Sequence, residues 1–259
     1  MTPSAAAVRP INDMLQNPDY IELTYRLDAS LGNHEYEDTI EKWTVTAHLG
    51  ESFGLDRIPP CEDCTAKWQA LYEADGFVDE GEECEHRLHV GTLEFYKVRW
   101  GGSQNPFWAM EEQSQNLYEM AEVIFSAEHD DYSEEFNEIT EGGFGGSDVL
   151  VVYRVELTEA WRGFGLGPIM ASDGIRRLSG GCCAVLIHPT PIDSHGMTHD
   201  EVQHARTRLQ QTWEKVGFVP YGDGPYMIFA TSWAAPEQKA VKLREELKDL
   251  SARWRASRR

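Results

Sequence analysis

Three glycines at alternate positions behind an arginine, Arg162-Gly163-Phe164-Gly165-Leu166-Gly167, are the residues of this chain best suited to hold an anion. Glycine permits positive φ and lets the main chain approach a ligand with no Cβ in the way. The first turn of a helix placed after them adds unpaired N–H groups and the positive end of its dipole. A phosphate suits such a place. The spacing excludes two common nucleotide loops: no Gly-Lys-Ser/Thr follows, and G-x-G-x-G is not the dinucleotide pattern G-x-G-x-x-G. A tight strand-to-helix turn whose glycines serve packing alone is the other reading of the same residues.

An anion loop of this kind needs a strand before it and a helix after it. The run VLVVYRVEL from Val149 to Leu157 supplies the strand. Pro168 suits a first helical turn, where its missing N–H would have had no partner, and Ile169, Met170, Ile175 and Leu178 give the helix one apolar face up to Gly180-Gly181. Cys182 to Ile187 is then a short buried strand, so strand, loop, helix and strand make a βαβ unit with parallel strands. Thr198 and Glu201 have the spacing of a capping box and open a helix that runs to Gly217. Two short strands follow, Phe218 to Tyr221 and Tyr226 to Thr231, and then a basic helical tail over residues 236–259.

Arg162-x-x-Gly165-x-Gly167, reached from a strand that ends near Val155 and Leu157, resembles motif A of the GNAT superfamily of N-acetyltransferases. Trp213-Glu214-Lys215-Val216-Gly217-Phe218, about fifty residues on, is similar to the Tyr-Glu-Lys-x-Gly-Phe signature that closes that family's motif B helix. The resemblance covers roughly Val149 to Thr231. It implies an α/β (α+β) fold with a mixed, mostly antiparallel sheet, splayed where the Val149 to Leu157 and Cys182 to Ile187 strands diverge, and flanked by helices. It implies acetyl-CoA as co-substrate, with pantetheine along Val155 and Leu157 and pyrophosphate over Arg162, Gly163, Phe164, Gly165, Leu166 and Gly167. It further implies direct attack of a primary amine on the thioester, the oxyanion being met by a backbone N–H.

Attack needs a neutral amine, so a base should remove a proton. Glu156, near the end of the strand, is the first candidate and Asp148, at its start, the second; each is equally well read as a surface carboxylate on an alternate strand position. Family members often carry Tyr where this chain has Trp213, and an indole N–H is far too weak an acid to protonate a leaving thiolate. Either Tyr221 or Tyr226 supplies that proton, or the thiolate leaves unaided, and Trp213 is a packing residue. His188, His195, His199 and His204 cluster in sequence but lack a catalytic metal pattern, so no metal is expected there.

The whole chain, residues 1–259, is expected to be one domain. Residues 1–147 form its divergent N-terminal half, residues 148–231 the acetyl-CoA core and residues 236–259 the basic tail. Residues 1–18 read as an arm. Tyr20 to Leu27, Ile40 to Leu49 and Arg87 to Trp100 read as strands, the last with a bulge at Gly91. An insertion around residues 50–86 carries Cys61, Cys64, Cys84 and His86, a set that could supply four tetrahedral zinc ligands; free reduced thiols are the preferred reading. A helix over residues 105–126 lies within a stretch, Gly101 to Glu141, holding eleven carboxylates and no Lys or Arg. They line solvent, or they funnel a cationic amine.

With 44 acids against 23 Lys and Arg, the 259-residue chain carries a formal charge of −21, which argues against nucleic acid or an anionic membrane as a partner. A small-molecule or peptide amine is the expected acceptor. The basic tail is expected to meet the acidic surface or a second subunit in a homodimer. No apolar run approaches the roughly 20 residues that span a bilayer, and a cytoplasmic location is expected. The alternative function is a binding or regulatory module on the same fold, without catalysis, that works through its acidic face.

Overall fold

The computed structural model describes residues 9–29, 35–50, 89–141, 146–191 and 196–259. The insertion with Cys61, Cys64, Cys84 and His86 lies outside the described residues, as does His195. One seven-stranded sheet has the order β1-β2-β3-β4-β5-β7-β6. Its strands are β1 (Ile21–Leu27), β2 (Ile40–Leu49), β3 (His89–Val98), β4 (Asp148–Leu157), β5 (Cys182–Ile187), β6 (Val219–Tyr221) and β7 (Tyr226–Ala230). Only the β4–β5 pair is parallel; every other neighbour is antiparallel. The mixed, mostly antiparallel open sheet flanked by helices matches the fold class expected from the sequence.

Side-chain alternation sends residues of each central strand to two separate cores. Phe95, Leu150, Val152, Val185 and Ile187 pack on one face, beneath α4 (Leu166–Leu178), α5 (His199–Glu214) and α6 (Ala234–Ser257). Tyr96, Val149, Val151 and Leu186 pack on the other, beneath α1 (Pro106–Gln113), α2 (Gln115–Ile124) and α3 (Glu134–Ile139). Gly174 marks how closely α4 rides on the sheet, since a Cβ there would lie 2.6 Å from Phe95 Cζ. The β2–β3 register shifts between Ala47 and His48, next to Gly91, where the apolar spacing of the sequence slips.

The single helix expected over residues 105–126 is two helices. Ser114 between them is fully extended, at φ −173° and ψ 157°, and its Oγ accepts a 3.2 Å bond from Leu117 N. That bond caps the second helix and breaks the first. The expected capping box is present, with Thr198 Oγ1 and Glu201 capping each other across the first turn of α5.

The N-terminal arm and the basic tail pack on each other. Two 3-10 turns, Ile11–Asp13 and Pro18–Tyr20, lie against α6. Ser251 Oγ donates to Asn17 Oδ1 at 2.6 Å, Trp254 Nε1 to Met14 O at 3.1 Å, and Arg255 pairs with Asp19 at 3.1 Å. Arg255 of the tail thus meets an acid that directly follows the chain's own arm. No helix among the described residues is long and apolar enough to cross a membrane.

Asp173 on α4 ties that helix to the first strand, accepting from Tyr25 Oη at 3.1 Å, Arg176 Nη2 at 2.6 Å and Arg177 Nε at 2.9 Å. Burial alone would raise its pKa, but bonds from Arg176, Arg177 and Tyr25 outweigh it and hold the carboxyl below the usual carboxylate range. A carboxyl depressed in the folded state contributes stability above its unfolded pKa of about 4 and loses it as pH falls through the lower folded value. Thermal melts of the wild type and Asp173→Asn are therefore expected to differ by a constant amount above roughly pH 5 and to converge in stronger acid. A difference that ignores pH would mean that the cluster does not act through this charge.

Candidate functional site

Strand β4 outruns its parallel neighbour. The β4–β5 pairing runs from Asp148 and Cys182 to Val152 and Ile187, whereas β4 continues to Leu157 paired with β3 alone. Just past the last shared pair the β3–β4 register shifts, so that Glu94 faces Arg154 and Phe95 faces Val152 with Tyr153 extra. This bulge explains why Val152 and Val155, three residues apart, pack toward the same core. Main-chain groups of alternate strand residues turn to opposite edges. Thr158 N donates to Val90 O, on the β3 side, so Val155 and Leu157 turn theirs to the open edge.

The chain leaves β4 through a 3-10 turn, Glu159–Trp161, in which Trp161 is only 1% exposed. Arg162 then folds back, donating from Nε to Leu157 O at 2.7 Å. Its Nη2 lies 3.9 Å from Glu156 Oε1, while Arg154 Nη2 is 2.7 Å from Glu156 Oε2. The Glu156 carboxylate thus lies between two guanidinium groups, where it helps to hold Arg162.

Gly163 and Gly165 both need glycine's freedom, at φ +84° and +81°. Gly165 is the N-cap of α4 and has no side chain with which to cap it. The first-turn N–H groups of Leu166, Gly167 and Ile169 are therefore not taken up by a capping side chain, Pro168 having none. A Cβ at Gly165 would meet nothing within 4 Å, and one at Gly167 only Val155 Cγ1 at 3.7 Å, so the cradle is open on this side. Phe164 and Leu166 turn their side chains into the core and can offer a ligand only main chain. Arg9 braces the loop from behind: its N donates to Gly163 O at 3.3 Å, its Nη1 to Glu159 O at 3.1 Å, and its guanidinium lies 5.5 Å from the Phe164 ring centroid. A cavity of about 480 Å³ beside Gly165 and Ile169 brings Glu246, Asp249 and Arg253 of α6 to the loop's flank.

The other sequence-derived candidates separate. Asp148 is at the far end of β4, roughly 30 Å of strand from the loop. There it meets Lys97 Nζ at 3.8 Å and accepts from Trp100 N at 3.2 Å. Tyr221 is buried, with its hydroxyl donating to Val123 O at 3.1 Å, which leaves it no route to a leaving group. Tyr226 opens β7, opposite the end of β5. Its phenol is raised above its ordinary pKa by burial and by Glu119 and Glu122, so it stays protonated at neutral pH. Trp213 is buried against Phe218, ring centroids 5.9 Å apart, in the packing role expected of it. Cys182 and Cys183 are buried thiols pushed up by burial to about 12 and about 11, which removes them as nucleophiles.

One residue set aside in the sequence lies at the split. His188 follows the last residue of β5 and shares the alternation of Leu186, which puts it on the α2 side. Its Nδ1 is 2.8 Å from Asn116 Oδ1, and its ring is 5.0 Å from that of Tyr226. Its Nε2 is buried without a hydrogen-bond partner among the described residues, as is Arg206 Nε on α5. Burial first, and then the charge of Arg206, lowers the His188 pKa against an opposing pull from Glu119. The signal available in the sequence was position alone: the first residue beyond a wholly buried strand, next to a proline. His204 Nδ1 is held 2.7 Å from Asp200 O within its own helix. Among the described residues no group of three His, Cys, Asp or Glu side chains could hold a metal ion.

No protein-family model matches the sequence, and no curated protein matches it either.

Proposed function

We propose that this chain is an N-acyltransferase of the GNAT kind, which passes an acetyl group from acetyl-CoA to a primary amine. The observation that carries the reading is the continuity of three features: a β4 edge at Val155 and Leu157 that no described strand covers, where Leu157 O accepts from Arg162 Nε, a loop at positive φ, and a helix whose N-cap is a glycine. A chain-like ligand with an anionic middle fits that order. Its extended amide-bearing arm would bond the strand edge as a further strand does, and its pyrophosphate would take the loop and first-turn N–H groups.

Coenzyme A supplies the activated acyl thioester when bound. The protein's residues do the rest: Val155 and Leu157 orient the arm, and Gly163 to Gly167 hold the charge. The acidic α1–α3 face, in a chain of charge −21, favours a cationic acceptor by raising its local concentration.

Calorimetry with acetyl-CoA is expected to show one site per chain, with release of free thiol when primary amines are added. Absence of binding at acetyl-CoA concentrations of about 1 mM, where a site worth only about 4 kcal/mol would register, would remove the reading.

A further inference from the structure

The proposed transfer needs a base, and neither Glu156, shared by two arginines, nor Asp148, at the far end of β4, is placed as one. Resting on the acyltransferase reading, we infer that His188 is the catalytic base for a primary amine acceptor and that Asn116 is its positioning residue.

Four observations support this assignment. His188 stands where β5 stops and β4 runs on, at the throat of the split and next to the β4 bulge. Asn116 Oδ1 accepts from Nδ1 at 2.8 Å, which places the ring proton there and leaves the lone pair on Nε2. That Nε2 has no partner among the described residues although it is shielded from solvent, a cost a protein rarely bears without a purpose. Among the described residues, the charged or titratable groups acting on the ring are Arg206 from α5, which opposes a resting proton, Glu119 from α2, which favours one, and Tyr226 from β7, which stays neutral. The net direction keeps the imidazole neutral and ready at physiological pH.

The step balances as follows. A primary amine arrives as an ammonium ion and gives one proton to His188 Nε2. The freed nitrogen lone pair attacks the thioester carbonyl carbon, a C–N bond forms, and the C–S bond breaks with its electron pair leaving on sulfur. The nitrogen sheds a second proton, which leaves as the product proton, and His188 passes the one it holds to the thiolate. Products are a neutral amide, free coenzyme A thiol and one proton. The acceptor class is thereby fixed as an amine with at least two protons to lose, so tertiary amines are excluded.

His188→Gln keeps the side chain's size and polarity and removes the base. With acetyl-CoA and a panel of primary amines, it is expected to lower kcat/KM by about 10²–10³-fold while acetyl-CoA affinity changes less than about threefold. In the wild type, kcat/KM should rise through a pKa below the ordinary histidine value and then level. In Asn116→Asp, whose added carboxylate favours the imidazolium, the rising limb should move to higher pH, a shift that loss of packing alone would not produce. Nitrogen NMR of labelled histidine supplies a readout that needs no acceptor: His188 should show a proton on Nδ1 and none on Nε2 at neutral pH. An Nε2-protonated or cationic ring, or a His188→Gln variant with an unchanged pH profile, would overturn the assignment. Failure of the wild type to bind acetyl-CoA would instead strike at the acyltransferase reading itself.

Discussion

Replacing Gly165 with glutamate is expected to lower acetyl-CoA affinity by about a hundredfold or more, roughly 2.7 kcal/mol, while the protein stays folded. The site has room for the new side chain, since a Cβ there meets nothing within 4 Å. The backbone at φ +81° penalises any L-residue by roughly 1–2 kcal/mol, which a domain of this size can bear. What the glutamate adds is a carboxylate at the helix end where the pyrophosphate is proposed to bind, so it competes for the same N–H groups. Gly165→Ala carries the strain without the charge and is the control, with a loss in affinity of less than about tenfold expected. Calorimetry on both variants separates the terms. Equal binding by the glutamate variant would put the anion elsewhere.

The second large effect concerns Trp161. It joins β4 to the loop and is buried beside Phe164, Leu166 and the β4 core, so Trp161→Ala leaves a void under both ends of the site. A loss of about 3–5 kcal/mol in urea unfolding is expected, the range for large aromatic truncations in cores. The residual folded protein should also bind acetyl-CoA less well, because the turn Glu159–Trp161 sets the direction in which Arg162 and Gly163 leave the strand. A loss below about 1 kcal/mol would show that the neighbouring side chains close over the gap.

Much of the scaffold is legible in the residues themselves. Ile40–Leu49 and Cys182–Ile187 are dense in β-formers and end at turn-forming residues, and Thr198 with Glu201 announces a helix start that the structure contains. The break at Ser114 is not legible, because Phe107, Met110, Leu117 and Met120 keep a helical rhythm across it and only the bond from Leu117 N reveals the stop. Helix α3 buries a single residue, Phe136, too little to register as periodicity. The bulge at Tyr153 is masked by the apolar run around it, since a strand buried on both faces shows no alternation to interrupt. The site follows the same division. Its glycines are local and readable, while the pairing of His188 with Asn116 spans 72 positions and exists only in the fold. Asp148 needed no structure to be discounted: if the strand leads into the loop, the strand's first residue is farthest from it.

The clasp between residues 11–20 and α6 couples two parts of the chain that are distant in sequence. Asn17 and Met14 are fastened to Ser251 and Trp254, and a few residues upstream Arg9 grips the main chain at Gly163 and Glu159. Residues 9–17 therefore join α6 to the glycine loop through hydrogen bonds at both of their ends. A change in how α6 packs is felt at the proposed anion cradle, although α6 itself carries none of the loop's N–H groups.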